Sequence, residues 1–240
     1  MPVLFGERTA TKLILKEFER IVSRRALFTQ VRMIHDMPAL VNLLLSSGYI
    51  KEEHLTFFLD LARSEENLWA GLHKSRRKGI NRAKKLGVEI VELSKAEIVR
   101  AIPQIYGYME ETYNRVGIPF EDISILHAVA DILVPKKMAR FFAAYHRNEL
   151  VAARIALLHK DTIYDWHTGS SQSANSLYAN EYLVRHILSW GAQNCYKKFD
   201  FMGAGSPKEE YGPREFKRRF GGTLESYDRF TKVHHPLLLK

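Results

Sequence analysis

The spacing of apolar positions between Asp161 and Phe230 changes twice, and this predicts a strand, a helix and a second strand. Thr162 to His167 is rich in β-branched and aromatic residues, and a Gly-Ser cluster ends the run. From Leu177 to Gly191 the apolar residues recur every three or four positions, as in an amphipathic helix with Ser176 as its N-cap. Phe199 to Met202 is then a short apolar run typical of a buried strand.

The loops after these two strands are the expected ligand-binding segments. A helical crossover between two strands implies that they are parallel. Ligands of such units lie at the carboxyl ends of the strands, so we expect them at Thr168–Ser176 and Gly203–Pro213.

The rest of the chain from residue 88 onward completes a mixed α/β pattern. The predicted elements are a strand, two helices, three strands joined by hairpin-length turns, and, after the crossover unit, a short helix and a strand: Val88–Leu93, Lys95–Val116, Asp122–Val134, Ala139–Tyr145, Leu150–His159, Thr162–His167, Pro213–Phe220 and Thr223–Phe230. This order resembles that of the GNAT acyltransferase fold.

The first 62 residues repeat part of the same order. A helix at 10–23, a strand at Ala26–Ile34, a helix from Pro38 to Ser47 and a strand at His54–Leu61 are followed later by the same succession at Ser176–Phe230. We interpret this as a degenerate internal duplication. The predicted domains are a partial GNAT-like half at 1–62 and a complete GNAT-like domain at 63–240.

The densest basic stretch of the chain lies in a helix predicted from Ser64 to Gly87. Ser64 and the two glutamates after it are typical of a helix start, and the middle of the helix reads KSRRKGINRAKK. A solvated cationic face is the ordinary explanation of such a run. Its concentration on one helix favours phosphate binding instead. A helix–turn–helix is disfavoured, because the basic residues are predicted to occupy one long helix.

Composition limits the classes of partner. The net charge of +9 favours an anionic partner: nucleic acid, a nucleotide, a phosphorylated metabolite or a membrane surface. One cysteine, Cys195, excludes an intrachain disulfide and a cysteine-based zinc site, which fits a cytoplasmic location. No apolar run is long enough to predict a transmembrane segment or a secretory signal. We find no metal-ligand spacing among the 10 histidines and no Gly-x-Ser-x-Gly motif.

Two stretches are similar to the FemAB/FemX peptidoglycan aminoacyltransferases and their acetyltransferase-like relatives. They are LWAGLHKSRRKGINRAKKLGVEIV at Leu68–Val91 and FKRRFGG from Phe216, and the resemblance covers about residues 30–230. It implies transfer to an amine acceptor from aminoacyl-tRNA or acyl-CoA, with no bound cofactor. Most of the family's first domain is missing, and a homodimer would supply the absent half of the cleft. The Gln/Arg-x-x-Gly-x-Gly/Ala loop of ordinary GNAT enzymes is also absent, which argues against coenzyme A.

The resemblance nominates Lys217 to stabilise the oxyanion of an acyl transfer. A lysine flanked by two arginines on a short helix is also often merely exposed. Arg76 and Arg77 match the family's arginine at the head of the basic helix, where a guanidinium would bind phosphate or carboxylate. A salt bridge on the helix surface is the alternative for both.

The candidate proton acceptors are weaker. Asp165 and His167 are predicted to share one face of their strand, opposite Trp166, where a carboxylate could orient an imidazole. Glu210 and Tyr211 lie in a loop expected near the ligand, where they could equally serve solubility. Tyr164 and Phe216 complete the expected substrate contacts.

Two functions remain open from the sequence. The first is an acyltransferase whose basic helix suits a polyanionic donor such as tRNA. The second is a non-catalytic GNAT-fold module that binds nucleic acid or a protein partner. Dimerisation favours the first, since it would complete the cleft.

Overall fold

The computed structural model describes residues 8–33, 37–115, 117 and 119–238. The strands are β1 (Phe28–Arg32), β2 (Ile50–Glu52), β3 (Leu55–Asp60), β4 (Val88–Glu92), β5 (Ala139–His146), β6 (Glu149–His159), β7 (Thr162–Ser170), β8 (Lys198–Gly203), β9 (Thr223–Ser226) and β10 (Arg229–Val233). The helices are α1 (Arg8–Val22), α2 (Pro38–Ser46), α3 (Glu65–Ala70), α4 (Lys74–Lys85), α5 (Lys95–Arg115), α6 (Ser124–Ala128), α7 (Ala174–Leu177), α8 (Ala179–Gln193) and α9 (Gly212–Arg218).

The chain forms two compact units. The first combines the described residues up to Leu55 with Gly205–Tyr211 and the residues from Glu225 onward. Its sheet has the strand order β1-β10-β2, with both pairs antiparallel. Leu44, Tyr49 and Phe230 form its small core.

The second unit, Thr56–Ala204 with Gly212–Leu224, carries the larger sheet. The strand order is β4-β5-β6-β7-β8-β3-β9. β4 to β7 are antiparallel neighbours, whereas β7 and β8 are parallel, as the crossover predicted. The predicted mixed α/β sheet is therefore confirmed.

Helices cover both faces of this sheet. On one face, α5 and α6 pack on alternate residues of β5 and β6 such as Phe141, Ala143 and Ile155. On the other, Phe142 of β5 contacts His186 and Trp190 of α8 with ring centroids 5.8 and 5.5 Å apart. Successive side chains of β5 are thus buried on alternate faces of the sheet, which is the pattern expected of a central strand.

The parallel pair opens after three residues. The register between β7 and β8 runs only from Thr162↔Lys198 to Tyr164↔Asp200, although β7 continues to Ser170 and β8 to Gly203. The backbone groups at the carboxyl ends of the two strands must therefore find other partners. This opening lies at the end of the sheet where the sequence predicts a ligand.

The basic segment is two helices and not one, which corrects our prediction. α3 ends at Ala70 and α4 begins at Lys74, with Ser64 capping the first and His73 capping the second. The break follows from Gly71, a poor helix former, and from Arg77, whose Nη1 donates to the carbonyls of Ala70 and Leu72 at 2.9 and 2.7 Å. Those carbonyls would otherwise continue the helix.

Two further boundaries differ from expectation. The crossover helix has no N-cap at Ser176: α7 ends at Leu177, and Tyr178 takes a left-handed backbone conformation before α8 begins. The strand predicted at Thr223–Phe230 is divided into β9 and β10, which belong to different sheets. The divide falls at Tyr227 and Asp228, where Ser226 Oγ donates to the Asp228 carboxylate at 3.0 Å.

The helix predicted at Asp122–Val134 is divided into α6 and a π-helical segment at Val129–Leu133. The remaining predicted elements are confirmed within about four residues at their ends. Ile34, Val116 and Ile118, which we placed in a strand, a helix and a connecting turn, lie outside the described residues. The truncated first GNAT copy and the domain boundary after residue 62 stay predictions. The first part of the observed first unit ends at Leu55, and the unit also includes two later segments of the chain.

Candidate functional site

A polar cleft of about 480 Å³ lies within the second unit, at the carboxyl end of β7. It is walled by the end of β7 and the loop after it, by α5, and by the first turns of α8 and α9: Glu111, Thr112, Arg115, Arg154, Thr168, Gly169, Ser170, Ser171, Gln172, Asn175, Asn180, Glu181, Gly212, Pro213 and Phe216. Most of the predicted loop Thr168–Ser176 is therefore at the cleft, and Gly212 and Pro213 represent the end of the second loop.

Lys217 fills the opening between β7 and β8. Its ammonium donates to the carbonyls of Phe201 and Gly203 at 2.8 and 2.7 Å, with a longer contact of 3.4 Å to Met202. Met202 between them has a positive φ of 56°, so β8 is irregular here and the carbonyls of all three residues face one ammonium. Lys217 thus supplies donors to β8 carbonyls beyond the last β7–β8 pair.

The protonation of Lys217 is weakened by its surroundings. Burial lowers the pKa of the ammonium to about 8, and nearby Arg154 acts in the same direction. Asp165 and Asp200 oppose the shift. With its three N–H groups directed at three carbonyls, the ammonium of Lys217 holds the splayed strand ends in place. Its predicted oxyanion role stays a prediction.

A buried ion pair lies under the cleft. Arg154 on β6 donates from Nη1 to Asp165 Oδ2 of β7, and the two side chains are 4% and 5% exposed. Arg154 also lines the cleft. Asp165 Oδ1 and Arg154 Nε have no hydrogen-bond partner among the described residues. Because Arg154 lines the cleft, its guanidinium is suited to bind a negatively charged or polarised oxygen there.

A second ion pair forms the wall between α4 and α8. Arg76 Nη1 donates to Glu181 Oε1 at 2.6 Å, and its guanidinium lies 4.2 Å from the centre of the Phe216 ring. Both side chains of the pair are mostly buried, at 11% and 15% exposure. Burial lowers the pKa of Arg76. Arg76 therefore joins three elements around the cleft, and Glu181 and Phe216 face the cavity itself.

Arg77, predicted as a substrate ligand together with Arg76, points elsewhere. Its guanidinium caps the last turn of α3 through the carbonyls of Trp69, Ala70 and Leu72. This use of its donors is structural, and Arg77 does not line the cleft.

Asp165 and His167 face opposite sides of the sheet, so the prediction that they share a face is wrong. Ile155 pairs with His167 and Ala156 with Asp165, which leaves Trp166 as the extra residue of a β-bulge. A bulge reverses the alternation beyond it.

His167 consequently packs on the α5 side of the sheet. Its Nδ1 lies 3.0 Å from the Tyr113 hydroxyl, and Phe120 packs edge-on against the ring at 5.2 Å. Burial lowers its pKa. His167 has no place at the Arg154–Asp165 pair, and an imidazole oriented by Asp165 is ruled out in this geometry.

The remaining predicted residues are not among those that line the cavity. Tyr164 is opposite Asp200 in the closed part of the β7–β8 pair, where burial raises its pKa. Glu210 and Tyr211 belong to the first unit, and the Tyr211 ring covers Gly205 of the same loop. Their predicted roles stay predictions.

Sequence reasoning missed Arg154, Arg115, Asn180 and Glu111. For Arg154 a signal was available: it is a single arginine in an apolar strand, and a buried arginine requires a partner. The others come from separate helices and carry no local pattern.

Two searches of the described residues gave negative results. No helix in those ranges is long and apolar enough to cross a membrane. Among the same residues, no group of three or more histidine, cysteine, aspartate or glutamate side chains is placed to hold a metal ion.

Comparison with known proteins agrees with this architecture. FemX is similar over 97% of this chain and 78% of its own, at 13% identity and a TM-score of 0.70. The C-terminal domain of a putative lysylphosphatidylglycerol synthetase from Agrobacterium fabrum is similar over 98% and 78%, at 12% identity and a TM-score of 0.67. L-PGS from Bacillus licheniformis gives 13% identity and a TM-score of 0.61 over 98% and 76%. At such identities the likeness is one of fold.

The search of curated proteins found no significant match. A family model described as an acetyltransferase (GNAT) domain, however, matches residues 72–218, more than half of the chain, and spans every residue that lines the cleft. The chain therefore belongs to the GNAT acetyltransferase-domain family.

Proposed function

We propose that this protein transfers an aminoacyl or acyl group from an activated donor to an amine, and that the reaction takes place in the cleft of the second unit. The observation behind the proposal is the opening of the sheet between β7 and β8, with a buried arginine beneath a polar cavity. Family membership supports acyl transfer as the chemistry.

The reaction needs an unprotonated amine, a proton acceptor and a positive group beside the developing oxyanion. The amine nitrogen forms a bond to the donor carbonyl carbon, whose π electrons move to the oxygen. Collapse of this intermediate breaks the bond to the leaving group, which is the ribose oxygen of tRNA or the sulfur of coenzyme A. The proton lost by the amine ends on the leaving group.

Arg154 is the proposed partner of the oxyanion. It lines the cavity, and its charge is fixed by Asp165 rather than free to reorient. A donor held in place before the reaction stabilises the transition state without reorganisation at the moment of transfer. Asp165 is then a positioning residue, and Lys217 holds open the strand ends on which the site is built.

Glu111 is the proposed proton acceptor. Of the two glutamates that line the cleft, Glu181 is paired with Arg76, whereas Glu111 has no ion pair among the described residues. Its neighbour Glu110 is also exposed but does not line the cleft.

Three observations favour aminoacyl-tRNA over acyl-CoA as the donor. The first turn of α8 would suit a pyrophosphate, yet it carries Glu181, locked at 2.6 Å by Arg76. The sequence also lacks the pyrophosphate-binding loop described above. The basic helix α4 suits a longer polyanion.

Transfer assays with labelled aminoacyl-tRNA and acetyl-CoA, each offered to a panel of amines, test the proposal. We expect product from aminoacyl-tRNA, a decrease in kcat of about a hundredfold in Glu111→Gln, and a rate within twofold of wild type in the matched control Glu110→Gln. If product forms from acetyl-CoA alone, the donor is acyl-CoA and not aminoacyl-tRNA, and the assignment of the reaction to the cleft stands. Equal rates in the two glutamine variants would remove Glu111 from the reaction.

A further inference from the structure

Helix α1 of the first unit has an apolar side that the protein leaves uncovered. Ile14, Phe18 and Ile21 are 47%, 44% and 44% exposed, and their spacing of four and three residues places them on one side of the helix. We call these three residues the α1 stripe. Single exposed apolar residues are ordinary on a protein surface, whereas an aligned group of them marks a surface that binds something.

The contacts of α1 with its own unit explain why the α1 stripe is uncovered. Leu15 packs against the small core of this unit. Glu19, one turn further along the helix, accepts a hydrogen bond from Lys232 Nζ at 3.0 Å. Leu15 and Glu19 therefore mark the side of α1 that faces the protein, and the α1 stripe lies on a different side of the helix.

Further apolar side chains are exposed shortly after the end of α1. The carbonyl of Leu27 accepts hydrogen bonds from the N–H groups of His234 and His235 at 2.8 and 3.2 Å, which brings the C-terminal turn to this place. Leu27 is 43% exposed, and Leu237 and Leu238 of the turn are 84% and 68% exposed. The first unit therefore presents uncovered apolar surface both along α1 and at this corner.

Helix α1 is also rich in unpaired cations. Five exposed cations lie on it or directly after it: Lys12, Lys16, Arg20, Arg24 and Arg25. The first three recur every four residues, on a side of the helix away from the α1 stripe. Arg20 is paired with Glu17 at 2.6 Å, and the other four have no ion pair within the described part of the chain. Their charge is thus available to an anionic partner.

We propose that α1 binds the surface of a membrane that contains anionic lipids, with the α1 stripe among the acyl chains and the cations among the lipid phosphates. An apolar side with large residues and a polar side rich in lysine and arginine is typical of helices that lie in the membrane interface. The helix is about 10 Å wide and the Debye length in 0.1 M salt is about 10 Å, so cations on its far side still interact with the charged surface. Long lysine side chains also bend towards the headgroups.

The charges of α1 argue against a second copy of the chain as its partner. In a two-fold symmetric contact the same residues meet on both sides. The unpaired cations of one α1 would then come close to those of the other, without carboxylates to neutralise them. An anionic lipid surface complements both the charge and the apolar side chains. The inference goes beyond the transfer reaction, because membrane binding through α1 requires neither the donor nor the acceptor.

The test is co-sedimentation of the full chain with large vesicles made of equal parts of phosphatidic acid and phosphatidylcholine, over a salt series. Phosphatidic acid is used because its headgroup is a bare phosphate and offers no amine to the proposed reaction. We expect binding that weakens as the salt concentration rises, and binding about tenfold weaker to vesicles of phosphatidylcholine alone.

Two double variants separate the apolar and the electrostatic contributions to vesicle binding. Phe18→Ser/Ile21→Ser should weaken binding to the anionic vesicles about tenfold at every salt concentration, because it removes the inserted apolar surface. Lys12→Gln/Lys16→Gln should weaken binding about fivefold at low salt and have little effect at high salt.

The matched control for the apolar variant lies in the second unit. Val99 and Ile132 are 46% and 53% exposed there, so Val99→Ser/Ile132→Ser removes a similar amount of exposed apolar surface. This control should bind the anionic vesicles within twofold of wild type. Circular dichroism and urea unfolding establish that all three double variants are folded.

Three results would overturn the proposal. They are an absence of wild-type binding to the anionic vesicles, an unchanged affinity in Phe18→Ser/Ile21→Ser, and an equal loss of affinity in the control from the second unit. If the wild type does not bind vesicles but sediments as a dimer that Phe18→Ser/Ile21→Ser dissociates, a second copy of the chain covers the α1 stripe instead. None of these results depends on catalytic turnover, so they are separate from failure of the proposed transfer reaction.

Discussion

In the two halves of the large sheet, the backbone N–H and C=O groups find their hydrogen-bond partners in different ways. From β4 to β7 the strands pair along most of their length, and β5 and β6 alone share eight residue pairs. Between β7 and β8 the register lasts for three pairs. Beyond them, the Lys217 side chain replaces strand pairing by binding the β8 carbonyls, and the buried Arg154–Asp165 pair of β6 and β7 lies close to its ammonium.

This difference shows where chemistry is available in the fold. The fully paired meander leaves no backbone group for a ligand, and it serves as a rigid support. Its Arg154 and Asp165 side chains form a buried ion pair close to Lys217, at the opened strand ends. We therefore expect substitutions of these three charged residues to alter both stability and transfer, and substitutions of apolar residues on the α5 face of the meander to alter stability alone.

The largest effect is expected from Arg154→Met. It leaves the Asp165 carboxylate buried and uncompensated, and the free energy of unfolding should fall by about 4 kcal/mol. The double variant Arg154→Met/Asp165→Leu should recover most of that loss, while transfer stays abolished in both. Urea unfolding and the transfer assay measure the two quantities. Full transfer in the double variant would remove Arg154 from the reaction.

The next effect is expected from Lys217→Met. It keeps the length of the side chain but leaves the carbonyls of Phe201 and Gly203 without a donor, at a cost of about 3 kcal/mol. Lys136→Met, on the exposed surface, should change the free energy of unfolding by less than about 0.5 kcal/mol. If the two variants unfold at the same urea concentration, Lys217 does not hold the strand ends.

A smaller effect is expected in the meander. Phe141 is 1% exposed on the α5 side of β5, and Phe141→Leu should cost about 1 kcal/mol. Its kcat should equal that of wild type, because Phe141 packs in the core cluster under α5, on the face of the sheet opposite Arg154. A decrease in kcat of tenfold or more would show that the two halves are not independent.

The smallest effect concerns pH. The native pKa of Lys217 is about 8, below the ordinary 10.5, so the unfolded chain binds more protons between these values. The free energy of unfolding should therefore rise with pH in this window, by about 1 kcal/mol from pH 8 to 9. Lys217→Arg, which does not titrate there, should lack this contribution. If the free energy of unfolding of the wild type falls with rising pH relative to that of the arginine variant, the pKa of Lys217 is raised and not lowered.

The same division explains how much could be predicted from the sequence. In the meander, period-two alternation and short turns are local signals, and all four strands from β4 to β7 were predicted. The parallel crossover and the loop at Thr168–Ser176 also followed from local pattern. Arg76 and Phe216 were selected through family resemblance, and the structure brings them together at one wall of the cleft.

What could not be predicted depends on contacts between distant residues. The bulge at Trp166, which separates Asp165 from His167, arises from the register with β6. The break before α4 depends on Arg77 reaching back to α3. Arg154 and Glu111 line the same cleft only because β6 and α5 both pass beside it. No sequence window contains these relations.

Blocking the cleft tests the central claim most directly. A Cβ added at Gly212, on the cleft wall, meets nothing within 4 Å, and the same is true of Gly107 on α5, which does not line the cleft. Gly212→Phe should lower transfer by a factor of at least ten with the folded structure intact, as judged by circular dichroism and urea unfolding. Gly107→Phe should transfer at the wild-type rate. Equal activity of the two variants would contradict the assignment of the reaction to this cleft.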